Sequence, residues 1–265
     1  MKRSHAVATG VVLALLTGCA PAGTDGVGPG SEGNGTEILD PATGTITVFA
    51  AASLTEVFGV LETKFEERHP SADVVLSFGG SGSLATQIVE GAPADVFAAA
   101  SEAPMATVTD AGDAADSAVF TTNTLEIAVP AGNPAGVEGL ADLADPALAI
   151  ALCDPSVPCG AATETLMHLA GLLPSPDTLE QDVKAVLTKV ELGEADAGLV
   201  YVTDVISAGP KVEGIPVPEA AAVISRYPIA VLTGAPNPAA ARAWLDFVLS
   251  DDGQAALTAA GFVAP

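Results

Sequence analysis

Two serines, Ser53 and Ser81, each stand where an apolar strand gives way to a helix, and that placement suits capture of an anion. In the run Val48-Phe49-Ala50-Ala51-Ala52-Ser53-Leu54-Thr55-Glu56, the β-branched and aromatic residues of 46–49 read as a buried strand. Ser53 and Glu56 make a Ser-x-x-Glu capping box, which predicts a helix N-cap at Ser53. Three alanines before it leave the backbone bare, so a ligand could approach the helix's first turn. That turn presents free N–H groups and roughly half a unit of positive charge. The second copy is Gly79-Gly80-Ser81-Gly82-Ser83, between a strand over 72–78 and a helix from Leu84. Either Ser81 or Ser83 could serve as its hydroxyl donor. The run is not a nucleophile elbow, because Ser83 stands where the last glycine belongs, nor does it complete a dinucleotide fingerprint. One such box is only a helix cap. Two strand-to-helix turns, each carrying serine, are better explained by a small oxyanion held between them.

The elements that must position these serines alternate strand and helix. After a helix over 54–67 come the strand over 72–78, a helix over 84–90, a strand over 94–99 and a helix over 104–110. Alternation of this kind means parallel βαβ units, with ligands expected at the carboxyl ends of strands. A strand over 124–129 is taken as the crossing into a second lobe. There a strand over 148–153 feeds a helix over 161–172, and a helix capped by Asp182 places Val183 in its first turn. A strand over 197–202 carries Tyr201 near its end. Residues 227–232 return to the first lobe, which two helices over 238–249 and 253–260 close. The expected fold class is therefore α/β, with two lobes and a ligand cleft between them. The expected division is 45–122 plus 230–265 for lobe 1 and 123–229 for lobe 2.

The start of the chain is set apart from this. Met1-Lys2-Arg3, an apolar stretch and Leu16-Thr17-Gly18-Cys19 look like a bacterial lipoprotein signal over 1–18, with Cys19 as the lipidation site. Residues 19–44 read as a flexible tether. The expected location is the outer face of the cytoplasmic membrane, with the lipid as the sole membrane attachment. Hydrophobic residues make up 49% of the 265 and charged ones 16%, which argues for a folded core. The formal charge is −24, and becomes −26 without residues 1–18, which hold two cations and no acid. So acidic a chain is a poor partner for nucleic acid or an anionic lipid surface. An anion site remains compatible if it is local and neutral, because surface charge is screened over about 8–10 Å. Cys153 and Cys159, an even pair in an exported chain, favour a disulfide. No histidine lies near them, so a metal cation is not expected.

Residues 45–262 resemble the molybdate-binding receptors of ABC transporters, within the type II periplasmic-binding-protein fold. The resemblance runs through Ile46-Thr47-Val48-Phe49-Ala50-Ala51-Ala52-Ser53-Leu54, then Ser81-Gly82-Ser83-Leu84-Ala85 and Gly91-Ala92-Pro93-Ala94-Asp95-Val96-Phe97. It continues through Val157-Pro158-Cys159-Gly160 and Gly198-Leu199-Val200-Tyr201. By that resemblance the oxyanion contacts fall on Ser53 and Ser81 through hydroxyl and amide, on the amides of Cys159 and Val183, and on the Tyr201 hydroxyl. It implies capture of molybdate or tungstate without a cofactor, delivery to a membrane permease, a monomer, and no enzymatic step. Singly, these residues are also accounted for as two caps, a core valine and a buried aromatic. Sulfate or another oxyanion is the nearer alternative ligand. A serine hydrolase is the more distant one, since neither His69 nor His168 stands in a recognised catalytic context.

Overall fold

The computed structural model describes residues 42–265. The expected signal sequence, the Cys19 lipidation site and the tether up to residue 41 lie outside the described residues. The chain opens with β1 (Gly44–Ala51), α1 (Thr55–Arg68), β2 (Ala72–Gly79), α2 (Ser81–Val89), β3 (Val96–Ala98), α3 (Glu102–Asp110) and β4 (Ala118–Asn123). It then crosses into β5 (Leu125–Pro130), β6 (Ile150–Cys153), α4 (Pro158–Leu169), β7 (Thr178–Glu180), α5 (Val183–Glu191), β8 (Ala197–Tyr201), α6 (Val202–Ala208) and β9 (Val212–Ile215). It returns through β10 (Ser225–Val231) to α7 (Pro238–Leu249) and α8 (Asp251–Ala259). Among the described residues no helix is long and apolar enough to cross a membrane.

Two five-stranded sheets result, in the orders β2-β1-β3-β10-β4 and β7-β6-β8-β5-β9. Their plans match. In each, three strands run parallel (β2, β1, β3 and β7, β6, β8), and the returning strand is antiparallel to its neighbours. Helices cover both faces of the first sheet, so β1 is buried on both sides rather than alternating wet and dry. Its period of two still sorts the faces. Ile46, Val48 and Ala50 join a core built on α1 and α7, whereas Phe49 joins Leu84, Ile88 and Met105 on the other side. The first core is aromatic: the Trp244 ring meets Phe58 and Phe65 edge-on, with centroids 5.9 and 5.3 Å away. The second lobe has its own aliphatic core around Ile127, Leu152, Leu166, Val186 and Val190.

The crossings differ from the sequence expectation. β4 had not been foreseen, and it keeps Asn123 in the first sheet. β10 begins at Ser225, so residues 225–229, expected in lobe 2, also belong to the first sheet. The strand expected over 227–232 thus starts two residues earlier, and Pro228 is accommodated where the β10–β4 register slips between Tyr227 and Pro228. Ser225 pairs directly with Asn123, so the two crossings lie side by side.

Asp95 shows what the Pro-Ala-Asp stretch does. It is buried, and its carboxylate accepts the Thr47 N–H at 2.8 Å and the Asn237 N–H at 2.6 Å. It therefore ties β1 to the segment that leads into α7. Asp95→Ala would leave two N–H groups without partners, and we expect a loss of about 2–4 kcal/mol in urea unfolding. Loss of less than about 0.5 kcal/mol would show that water or relaxation replaces the carboxylate.

Candidate functional site

The carboxyl ends of the three parallel strands of each sheet meet at one pocket. β1, β2 and β3 deliver Ser53, Ser81 and Ala100 from one side; β6, β7 and β8 deliver Cys159, Val183 and Tyr201 from the other. This is where open α/β sheets hold ligands. The cavity volume is ≈ 20 Å³, a little more than the ~10–15 Å³ that admits one water on the same measure. A small ion fits there and a sugar or peptide does not.

All five residues expected at an oxyanion line this pocket: Ser53, Ser81, Cys159, Val183 and Tyr201. Four of them sit in the first turn of a helical segment, where N–H groups have no partner inside their own helix. In α4 the first residue is Pro158, which has no N–H, so Cys159 offers the first amide. The sequence had started this helix only at 161. Ser83 is not part of the pocket. It is exposed on α2 and accepts a long hydrogen bond, 3.4 Å, from the Gln87 side chain. Because α2 begins at Ser81 rather than Leu84, helical rotation carries Ser83 outward.

The capping box at Ser53 does not form. Ser53 lies inside a 3-10 turn, Ala52–Leu54, and makes no side-chain cap. Its hydroxyl instead meets the Tyr227 hydroxyl at 3.0 Å. Glu56 turns away to ion-pair with Lys184. A local signal has yielded to two tertiary partners, neither of which adjacent sequence could reveal. Asp182, by contrast, caps α5 as expected, its Oδ1 accepting the Ala185 N–H at 3.0 Å. This turns an acid on the pocket wall into its own helix.

Proton ownership decides what the site can bind. The Ser81 hydroxyl accepts the Ala100 N–H at 3.0 Å, which leaves its own proton free to donate. Tyr201 is fully buried, and its hydroxyl makes no well-formed hydrogen bond, although the Ser225 and Tyr227 hydroxyls lie beside it. Burial pushes its pKa up to about 12, so the proton stays in place at any physiological pH. Burial also raises Tyr227 well above the usual tyrosine value, which keeps a proton on the Ser53–Tyr227 pair. No lysine, arginine or histidine lines the pocket. His69 ends α1 against the Phe65 ring and His168 is exposed in the last turn of α4, so neither can activate these serines.

A disulfide joins Cys153 to Cys159, with 5.7 Å between Cα atoms. It staples the end of β6 to the first turn of α4 and so fixes the direction of the Cys159 amide. The lobes touch around the cavity. A Cβ on Gly80 would overlap the Gln181 carbonyl oxygen of the facing lobe, although the Gly80 backbone, φ −62° and ψ 128°, accepts any residue. Gly80 is therefore needed for approach of the lobes, not for its own conformation. Gly80→Ala should leave the ligand-free melting temperature unchanged while enlarging the radius of gyration in small-angle X-ray scattering. An unchanged radius would mean that the lobes do not need this contact.

The chain is similar to known proteins. Residues 46–263 match the family described as bacterial extracellular solute-binding protein. The molybdate-binding protein ModA of Mycobacterium bovis is 42% identical over 262 residues, covering 98% of each chain. ModA of Escherichia coli is 35% identical over 77% of this chain and 83% of its own. Among solved structures, the periplasmic molybdate-binding protein of Azotobacter vinelandii superposes with a TM-score of 0.69 at 24% identity, covering 83% of this chain and 99% of that one. The sulfate-binding protein SubI of Mycobacterium tuberculosis gives 0.72 at 19% identity, over 82% and 86%. At those identities the structures bear on the fold alone, while the sequence matches bear on descent. The chain belongs to the bacterial extracellular solute-binding protein family.

Proposed function

We propose that this protein is the molybdate receptor of an ABC transporter. It captures the oxyanion between its lobes and hands it to the membrane permease. The observation that carries the reading is the donor-only pocket, where first-turn amides and protonated hydroxyls converge, the buried Tyr201 hydroxyl among them without a well-formed hydrogen bond. A tetrahedral dianion offers only acceptors, and each oxygen could meet an N–H or O–H. Hydrogen bonds to a charged group, made where water is excluded, are the strong ones. The relatives named molybdate-binding point to the same ligand.

Binding here needs no turnover and no cofactor, and the protein works as a monomer. Tungstate matches molybdate in charge and nearly in size, so it binds as well. Phosphate near neutral pH carries a proton that needs an acceptor, and at these donors it would leave one group unpaired. Sulfate offers the same acceptors as molybdate, so only the size of the cavity tells the two apart. An exported chain tethered through lipidated Cys19 would keep the receptor beside its permease.

The test is calorimetric titration of residues 44–265 with molybdate, tungstate, sulfate and phosphate. Submicromolar binding of the first two, with the others silent, is the expected result; tight sulfate binding would move the ligand, and silence from all four would end the oxyanion reading. Tyr201→Phe should weaken molybdate binding roughly tenfold to a hundredfold, the worth of a hydrogen bond to a charged group. The ligand-free variant should melt close to the parent, because the lost hydroxyl makes no well-formed hydrogen bond. A lower melting point with unchanged affinity would assign Tyr201 to packing.

A further inference from the structure

Lys184 sits beside the pocket on α5, next to Val183, and reaches across the cleft. Its ammonium ion-pairs with Glu56 Oε2 of the facing lobe at 2.8 Å and with Asp204 Oδ1 of its own lobe at 3.0 Å. It also donates a hydrogen bond to Ser207 Oγ at 3.2 Å. Asp204 is completely buried in α6, and its other oxygen accepts the Tyr201 N–H at 3.0 Å. Lobe 2 thus holds the ammonium in place from within, through Asp204 and Ser207, and presents it outward. Glu56 is half-exposed, lies one helical turn after Ser53, and makes no cap of its own.

We infer that Lys184 is a closure latch: Asp204 aims its ammonium, and Glu56 takes it when the lobes shut over the ligand. The inference rests on the receptor reading above and adds to it the residues that set how long the closed form lasts. The two latch partners flank the anion contacts, Glu56 three residues from Ser53 and Lys184 one residue from Val183, so the latch and the ligand draw the same two helices together. Charge fits the role. Burial alone would weaken the Lys184 ammonium, yet Asp204 and Glu56 outweigh it and raise its pKa above the usual lysine value. Desolvation pushes Asp204 up to about 6 against the pull of Lys184, so near pH 7 it is ionised and able to hold its partner. A cation is also what two acidic lobes need where they meet.

Glu56→Gln tests this without disturbing a buried group. With molybdate as ligand, the variant should release radiolabelled molybdate roughly three- to tenfold faster and bind correspondingly weaker, the range for a partly screened ion pair. Its ligand-free melting temperature should match the parent's, and the difference in release should shrink at high salt. Glu56→Lys, which sets like charges together, should release faster still. Release within twofold of the parent by Glu56→Gln, from a parent that does bind molybdate, overturns the latch and leaves the receptor. A parent that binds no oxyanion overturns the receptor reading, and the latch falls with it.

Discussion

Taking a doubly charged ion out of water without a countercharge is the constraint on which this structure depends. A lysine in the pocket would offer one strong attraction in one direction; four helix starts and three hydroxyls offer several at once. The fold supplies them because a parallel strand ends where its helix begins, and every such junction exposes unpaired N–H groups. Two sheets, facing each other with three parallel strand ends apiece, surround a point with donors before any side chain is chosen.

The pocket's hydroxyls add to its amides, and their orientation depends on neighbours outside the pocket wall. Ala100 uses the acceptor side of Ser81, and Tyr227 engages Ser53. Tyr227 stands two residues past Ser225, where the chain re-enters the first sheet opposite Asn123 of the outgoing strand. Asn123 in turn donates to Thr203 of the second lobe. The crossing between lobes and the pocket's hydroxyls are therefore parts of one neighbourhood.

Much of this was legible in the residues. Strand-to-helix junctions at Ser53 and Ser81 could be read from apolar runs ending in small and hydroxyl residues, and Asp182 from its capping position. Pairing of Cys153 with Cys159 followed from there being no other cysteine in the folded part. What was not legible depends on distance along the chain. The Ser53 box failed because Tyr227 lies 174 residues away and Glu56 found a lysine on another helix. The short strands β7 and β9 have three and four residues, too few to show a period. β10 was expected over 227–232, but not its first residues, because Ser225 and Arg226 pair with β4, a strand that was itself not foreseen. The part played by Lys184 has no local signal either, since nothing adjacent announces a buried aspartate beneath it.

The alanines and glycines around the cavity have one more effect. Ala51, Ala52, Gly79, Gly80 and Ala100 line it with almost no side chain, and amides supply much of its polarity. Replacing a residue changes its side chain but leaves its N–H in place, so the recognition surface is largely invisible to point mutation, provided nothing bulky intrudes. Selectivity written in main chain drifts more slowly than the sequence that encodes it. A lineage can exchange most of its residues while the geometry that chooses the ion is inherited through the backbone path alone.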